Sequence, residues 1–260
     1  NTYFLMVDDI DLNQMLWTPI GTDPDKCFSG YFDGGGHTVS SLLLDSTSDQ
    51  YVGLFGYAED AEIINLNMES VDINASYTSY IISAGVYAME FYTGAVVGRL
   101  DGGLLSECSV SGSVCGSVTL EVGDGTFQGL FAGMTGGIAG TVGKGAIVEK
   151  CKNSAFVGGE SMIAGGIVGY VDDSFSRPSL ISECYNEGTV NNSFQVNIAG
   201  GIAGRISFGD ITDCVNEGEV EVSKFSAWLG GIAGLSGGSI RECTNAGNIF
   251  ITALYENSMM

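Results

Sequence analysis

The chain has little positive charge, few prolines, one histidine and no long apolar run, and each shortage excludes something. Nine Lys and Arg face 31 Asp and Glu, for a net charge of −22. Such a chain repels nucleic acid and anionic membranes, and its acidity speaks for solubility rather than for one partner. No stretch of 18 apolar residues could insert into a bilayer as a helix. Pro19, Pro24 and Pro178 are the only prolines, so nearly every amide is free to donate in a strand ladder. No Cys-x-x-Cys pair accompanies His37, which argues against zinc. The sequence also lacks any sustained 3.6-residue apolar stripe, and this leaves strands as the repeating element.

What the chain has in quantity is glycine, 40 residues of it, and the glycines recur in a pattern. Gly136-Gly137-Ile138-Ala139-Gly140 returns as 165–169, 200–204 and 230–234, with looser copies at 94–98 and 53–56. A second signature follows each copy: Ile-x-x-Cys-x-Asn-x-Gly-x-Val. It is clearest at Ile181, Cys184, Asn186, Gly188 and Val190 and again from Ile211 and Ile240, and is worn around Cys151, Cys108 and Leu66. The last pentad glycines fall at 56, 98, 140, 169, 204 and 234, and the cysteine column at 66, 108, 151, 184, 214 and 243. Both columns shorten together, which implies a coil of about 30 residues with longer insertions in the first two intervals. Those insertions are placed at 76–93 and 115–134.

Short runs of Val, Ile, Thr, Tyr and Phe broken by Gly, Asn, Asp and Ser predict strands. A fixed period with a corner residue in every copy predicts an all-β parallel β-helix, since such a coil cannot bury its apolar face alone. Stacking then aligns Cys108, Cys151, Cys184, Cys214 and Cys243 as buried thiols, and Asn153, Asn186, Asn216 and Asn245 as an amide ladder at a left-handed corner. The glycines are expected to supply positive φ at corners. Residues 1–45 read as the start or cap of the helix, 46–251 as the repeat body and 252–260 as a tail. The opening at Asn1 and the end at Met260 read as those of a processed or excised segment.

These motifs, with the opening Asp9-Ile10-Asp11-Leu12, Trp17-Thr18-Pro19-Ile20-Gly21 and Phe32-Asp33-Gly34-Gly35-Gly36-His37-Thr38, resemble the GLUG-repeat proteins of bacterial surfaces. The resemblance runs from about Tyr3 to Ile251. It implies a right-handed β-helix within larger secreted or wall-attached, adhesin-like proteins. Some relatives in that family accompany a peptidase domain acting on immunoglobulin A; no such domain is visible here, so no catalytic residue is carried over.

Two functions are weighed. One is a non-catalytic extracellular stalk or adhesion module facing a host or cell-wall glycan or protein, without cofactor or metal. The other is a polysaccharide lyase or glycoside hydrolase, which needs a cleft with paired carboxylates or a cation site. The shortage of bases and the net charge favour the first. Glu107, Glu183, Asp213 and Glu242, each preceding a column cysteine, are expected to form a solvated acidic stripe. His37 is read as a corner or core residue. Candidate contact residues are Trp228, Phe225, Tyr185, Tyr80 and Tyr87, with Phe175, Tyr77 and Tyr92 also considered.

Overall fold

A computed structural model of the chain describes residues 2–81, 90–122, 132–173, 176–193, 197–223 and 227–252. Among them the architecture is all-β, with a single 3-10 turn at Pro24–Lys26. One coil runs through strand Ala132–Gly136, the pentad bend, strand Ala139–Gly143, and then Ile147–Glu149, Lys152–Asn153 and Phe156–Gly159. Each segment pairs in parallel with its equivalent in the next coil: Gly136 with Gly165, Ala139 with Val168, Ile147 with Leu180, Asn153 with Asn186 and Val157 with Val190. Repetition of this register builds sheets of 6, 6, 8 and 13 strands, a parallel solenoid.

The core follows directly from the repeat. The pentad's central Ile138, Ile167 and Ile202 are fully buried, as are Val148, Ile181 and Ile211 ahead of the cysteines. Each packs on its own counterpart above and below, so one residue choice is reused at every level.

Two expectations about the corners change. Glycines do supply positive φ at turns such as Gly102, Gly103 and Gly145, but the pentad glycines do not have it. They are required by close approach: a Cβ on Gly137 would lie closer than 3.0 Å to the carbonyl of Gly166 and to the side chain of Asn153. The left-handed corner next to the column is held instead by the residue before each column cysteine, or before Leu66 in its place. Asn65, Glu107, Lys150, Glu183, Asp213 and Glu242 have φ of 53° or 54°. The ladder asparagines sit beyond that bend, in short strands. A left-handed bend turns its side chain outward, and this leaves the corner to long charged residues and the interior to the amides.

Residues 1–45 wind in register with the rest. Tyr3–Leu5 pairs with Tyr31–Asp33, which pairs with Glu62–Ile64, and isolated bridges join Ile20 to Phe55 and Phe28 to Ala58. The expected boundary at 45/46 falls inside strand Leu43–Ser46. Of the two expected insertions, the described parts form a parallel ribbon: strand Asn67–Ile81 runs beside Ser109–Val122 from Asn67 opposite Ser109 to Ile81 opposite Val122. Its Tyr77 and Val118 pack on Phe91 of strand Glu90–Gly94, which pairs with Ala132–Gly136 in the stack.

Candidate functional site

The asparagine column forms a continuous ladder. Asn153 Nδ2 donates to Asn186 Oδ1 at 2.8 Å, Asn186 to Asn216 at 2.8 Å and Asn216 to Asn245 at 2.7 Å. Each amide also donates to the carbonyl two residues on, at Ala155, Gly188, Gly218 and Gly247. Asn153, Asn186 and Asn216 have no solvent exposure, so these bonds satisfy groups that burial would otherwise penalise. The second pentad glycine lies against the amide of its own coil: Gly137 on Asn153, Gly166 on Asn186, Gly201 on Asn216 and Gly231 on Asn245. Where the ladder position is Val110, the pentad position is Ala95, and where it is Met68 the shorter pentad carries Leu54. Glycine in the bend is thus kept to the coils whose ladder residue is asparagine. This pairing explains why the two motifs travel together, and it could have been found by aligning the pentads against the ladder column.

The cysteines stack as a second column. All seven are free thiols; Cys108, Cys151, Cys184 and Cys214 are buried, while Cys27, Cys115 and Cys243 are partly exposed. The Cys184 amide donates to Cys214 Sγ at 3.4 Å, and the thiols point to backbone carbonyls two residues back. Such thiols fill space as small hydrophobes.

A polar cluster that the sequence reading did not identify lies in the outer angle between the strands entering and leaving the pentad. Tyr57, Arg99, Thr141, Tyr170 and Arg205 each follow a pentad's last glycine and stack in one row. Asp101, almost fully buried, accepts from Tyr57 Oη at 2.7 Å, Arg99 Nε at 2.9 Å and Lys144 Nζ at 2.9 Å. Arg99 also reaches Tyr92 Oη at 3.1 Å and Asp172 at 3.3 Å, and Lys144 reaches Glu59 at 2.7 Å. Gly143 leaves the gap across which Arg99 meets Asp172, so four successive coils are tied by one network.

Burial raises the pKa of Asp101, but Arg99, Tyr57 and Lys144 together hold its carboxyl below the ordinary range. Burial and the Asp101 hydrogen bond drive Tyr57 upward; burial and the Glu90 bond do the same to Tyr92. Glu59 and Asp101 raise Lys144. These groups are held in their charged or protonated forms, far from a proton-transfer role near neutrality.

A cleft opens at the root of the ribbon, lined by Tyr77, Phe91, Thr93, Val118, Thr135 and Asp49. Tyr77 and Phe91 stack at 3.5 Å between centroids. Thr135 Oγ1 is buried there without a partner among the described residues. The space is that of about one water molecule.

The expected contact residues scatter. Tyr185 stands half-exposed on a side wall with Lys152 Nζ 5.4 Å from its ring centroid, and Lys152 pairs with Glu187 at 3.0 Å. Trp228 lies exposed in the last coil. Tyr92 is buried in the polar cluster, not displayed. Phe225, Tyr87, Phe175 and the Tyr80 side chain lie outside the described residues. Glu107, Glu183, Asp213 and Glu242 line one exposed edge, interrupted by Lys150. His37 Nδ1 lies 3.3 Å from Asp9, whose carboxylate also accepts the Thr38 amide at 2.8 Å. That contact ties the first coil to the second.

No protein-family model matches the chain. Over 73 residues, a quarter of the chain, it is 33% identical to the "Putative Gly-rich membrane protein" of Evansella cellulosilytica. Over 82 residues, 30% of the chain, it is 32% identical to halomucin of Haloquadratum walsbyi. The chain spans 8% and 1% of those proteins. Among solved structures it resembles "a putative immunoglobulin A1 protease from Bacteroides ovatus", with a TM-score of 0.69 over 96% of this chain and 70% of that one, at 21% identity. The likeness is one of fold.

Proposed function

We propose that the chain is a non-catalytic, extracellular β-helix module of the GLUG-repeat type from a bacterial surface protein, wound right-handed as parallel crossovers are. It acts as a stalk or adhesion surface toward a host or cell-wall glycan or protein. The observation that carries this reading is how the repeat spends its residues: each recurring position serves stacking, and the ionisable groups gathered in the pentad angle are locked by one another. A lyase or hydrolase needs a carboxyl or base poised near the working pH, and the shifts in that angle run the other way. The likeness to a glycine-rich membrane protein and to halomucin supports the location. The wall bearing Tyr185, Lys152 and Glu187 is the proposed contact face.

The test is binding of the full chain to arrayed glycans, peptidoglycan and host surface proteins, with turnover of the same ligands measured in parallel. Saturable binding weakened by Tyr185→Ala, without turnover, is the expected result. Turnover of any of these ligands by the chain would establish the enzymatic reading instead.

A further inference from the structure

The row of residues that follow each pentad's last glycine holds two arginines, and the chain supplies a carboxylate to only one of them. Arg99 gives Nε to Asp101, two residues on, at 2.9 Å and Nη2 to Asp172 at 3.3 Å. Tyr57, its register partner one coil earlier, donates to the same Asp101 at 2.7 Å. Arg205 has matching surroundings with one change. Tyr170 is its register partner one coil earlier, and the position two residues on is Ser207 instead of an aspartate. Tyr170 Oη and Ser207 Oγ meet at 2.7 Å, as Tyr57 meets Asp101. Tyrosine and arginine recur together, and the acidic side chain between them does not.

Arg205 is half-buried, with its guanidinium carbon 5.4 Å from the centroid of the Tyr170 ring, and it makes no hydrogen bond or ion pair among the described residues. In a chain with nine bases and 31 acids, that is not for want of carboxylates. Asp172, beside Ser207 one coil earlier, is held by Arg99. Stacking on the ring restricts the guanidinium before any ligand arrives, so its fork of N–H donors is already oriented. Of the two hydroxyls, one spends its hydrogen on the other, and the second hydrogen remains to donate. Burial pushes the Tyr170 hydroxyl up, which keeps it protonated. Gly237, next to Ser207 in the following coil, adds no side chain over this point.

We infer that Arg205, Tyr170 and Ser207 form a subsite for a ligand carboxylate, placed as Asp101 is beside Arg99, and that an acidic sugar residue of an otherwise neutral glycan carries it. An extended peptide binds along a strand edge, but Ala203–Ile206 is paired on both sides, with Val168–Asp172 and Ala233–Ser236. A sugar needs only side-chain donors and acceptors, which the guanidinium and the two hydroxyls provide. A polyanion would meet the net charge of −22, whereas a single carboxylate meets the local cation. This inference rests on the glycan-facing reading above, but not on its Tyr185 wall.

The test titrates the full chain with glucuronate and with glucose and follows binding by saturation-transfer NMR. Saturable millimolar binding of glucuronate, weakened by salt and absent for glucose, is the expected result. Arg205→Gln should weaken it at least about tenfold. Ser207→Asp returns to the chain the acceptor that Asp101 gives Arg99, so it should abolish glucuronate binding while the thermal midpoint holds or rises. An intact midpoint separates competition for Arg205 from misfolding. Absence of glucuronate binding, binding that survives both substitutions, or equal binding of glucose overturns the inference. So does tighter binding of an acetylated dipeptide with a free C-terminus, which would make the carboxylate a peptide's. Tyr185→Ala should leave glucuronate binding unchanged. If arrayed glycans bind and ignore Arg205→Gln, this inference alone fails; if glucuronate binds while no arrayed glycan or surface protein does, the wider reading alone fails.

Discussion

Replacing Asn186 by Ala tests the ladder where it has neighbours on both sides. The side chain has no solvent exposure and takes part in three bonds: to Gly188 O at 2.9 Å, to Asn216 Oδ1 at 2.8 Å and from Asn153 Nδ2 at 2.8 Å. Truncation orphans one buried group at each of those partners. Each orphan costs about 1–3 kcal/mol, so the expected loss is about 3–6 kcal/mol once water entering the gap satisfies some of them. Asn245→Ala is the control: it removes one shared bond at an exposed rung and should cost about 1 kcal/mol or less. Against a typical stability of about 5–15 kcal/mol, the first variant should fail early in urea and the second should not. In a linear stack the damage stays local, so labelling of Cys184 and Cys214 should accelerate before the emission of Trp17, at the far end, changes. Equal urea midpoints for the two variants would refute the account of the ladder as a buried, mutually satisfied column.

Gly166→Ala places a Cβ closer than 3.0 Å to both the Gly201 carbonyl and the Asn186 amide. Neither can retreat, so a loss of about 3 kcal/mol or more in chemical denaturation is expected. Glu183→Asn keeps the bend at φ 53° with a residue that tolerates it and should raise stability by about 0.5–1 kcal/mol, read as a higher thermal midpoint. Because the folded pKa of Asp101 lies below its ordinary 3.8, its contribution is complete above that value and is lost as pH falls through the folded one. The stability gap between wild type and Asp101→Asn should therefore close in acid, and a gap constant from pH 7 to 2 would contradict the assignment.

The spacing of two motifs carries the solenoid, its thiol column and its ladder, because each repeats once per coil and stacking converts sequence period into spatial contact. Corner chemistry was less legible. Glycine suggests positive φ wherever it clusters, yet here Gly137 and Gly166 answer to crowding, while the left-handed bend falls on Glu107, Lys150 and Glu183, types that give no local signal for it. The cluster around Asp101 was hidden for another reason. Its members come from four coils: Tyr57 and Arg99 follow the last pentad glycine and Glu59, Asp101 and Asp172 stand three residues after it, but the residue type changes from coil to coil, so the charges match only once register places them together. The scatter of the aromatics has the same origin: Tyr92 and Trp228 hold one column position, and depth in the stack alone makes one buried and the other exposed.

Cross-coil fastening changes character along the molecule. Ahead of Asn153 the ladder position is Val110 or Met68, and the levels are tied by the buried network around Asp101; beyond it the buried amides are added, with ion pairs such as Lys152–Glu187 and Arg241–Asp210 at the surface. Acid neutralises the first kind of fastener and ignores the second. Lowered pH should therefore loosen the coils that meet at Asp101 first, while those joined through Asn186, Asn216 and Asn245 keep a fastener that acid does not reach.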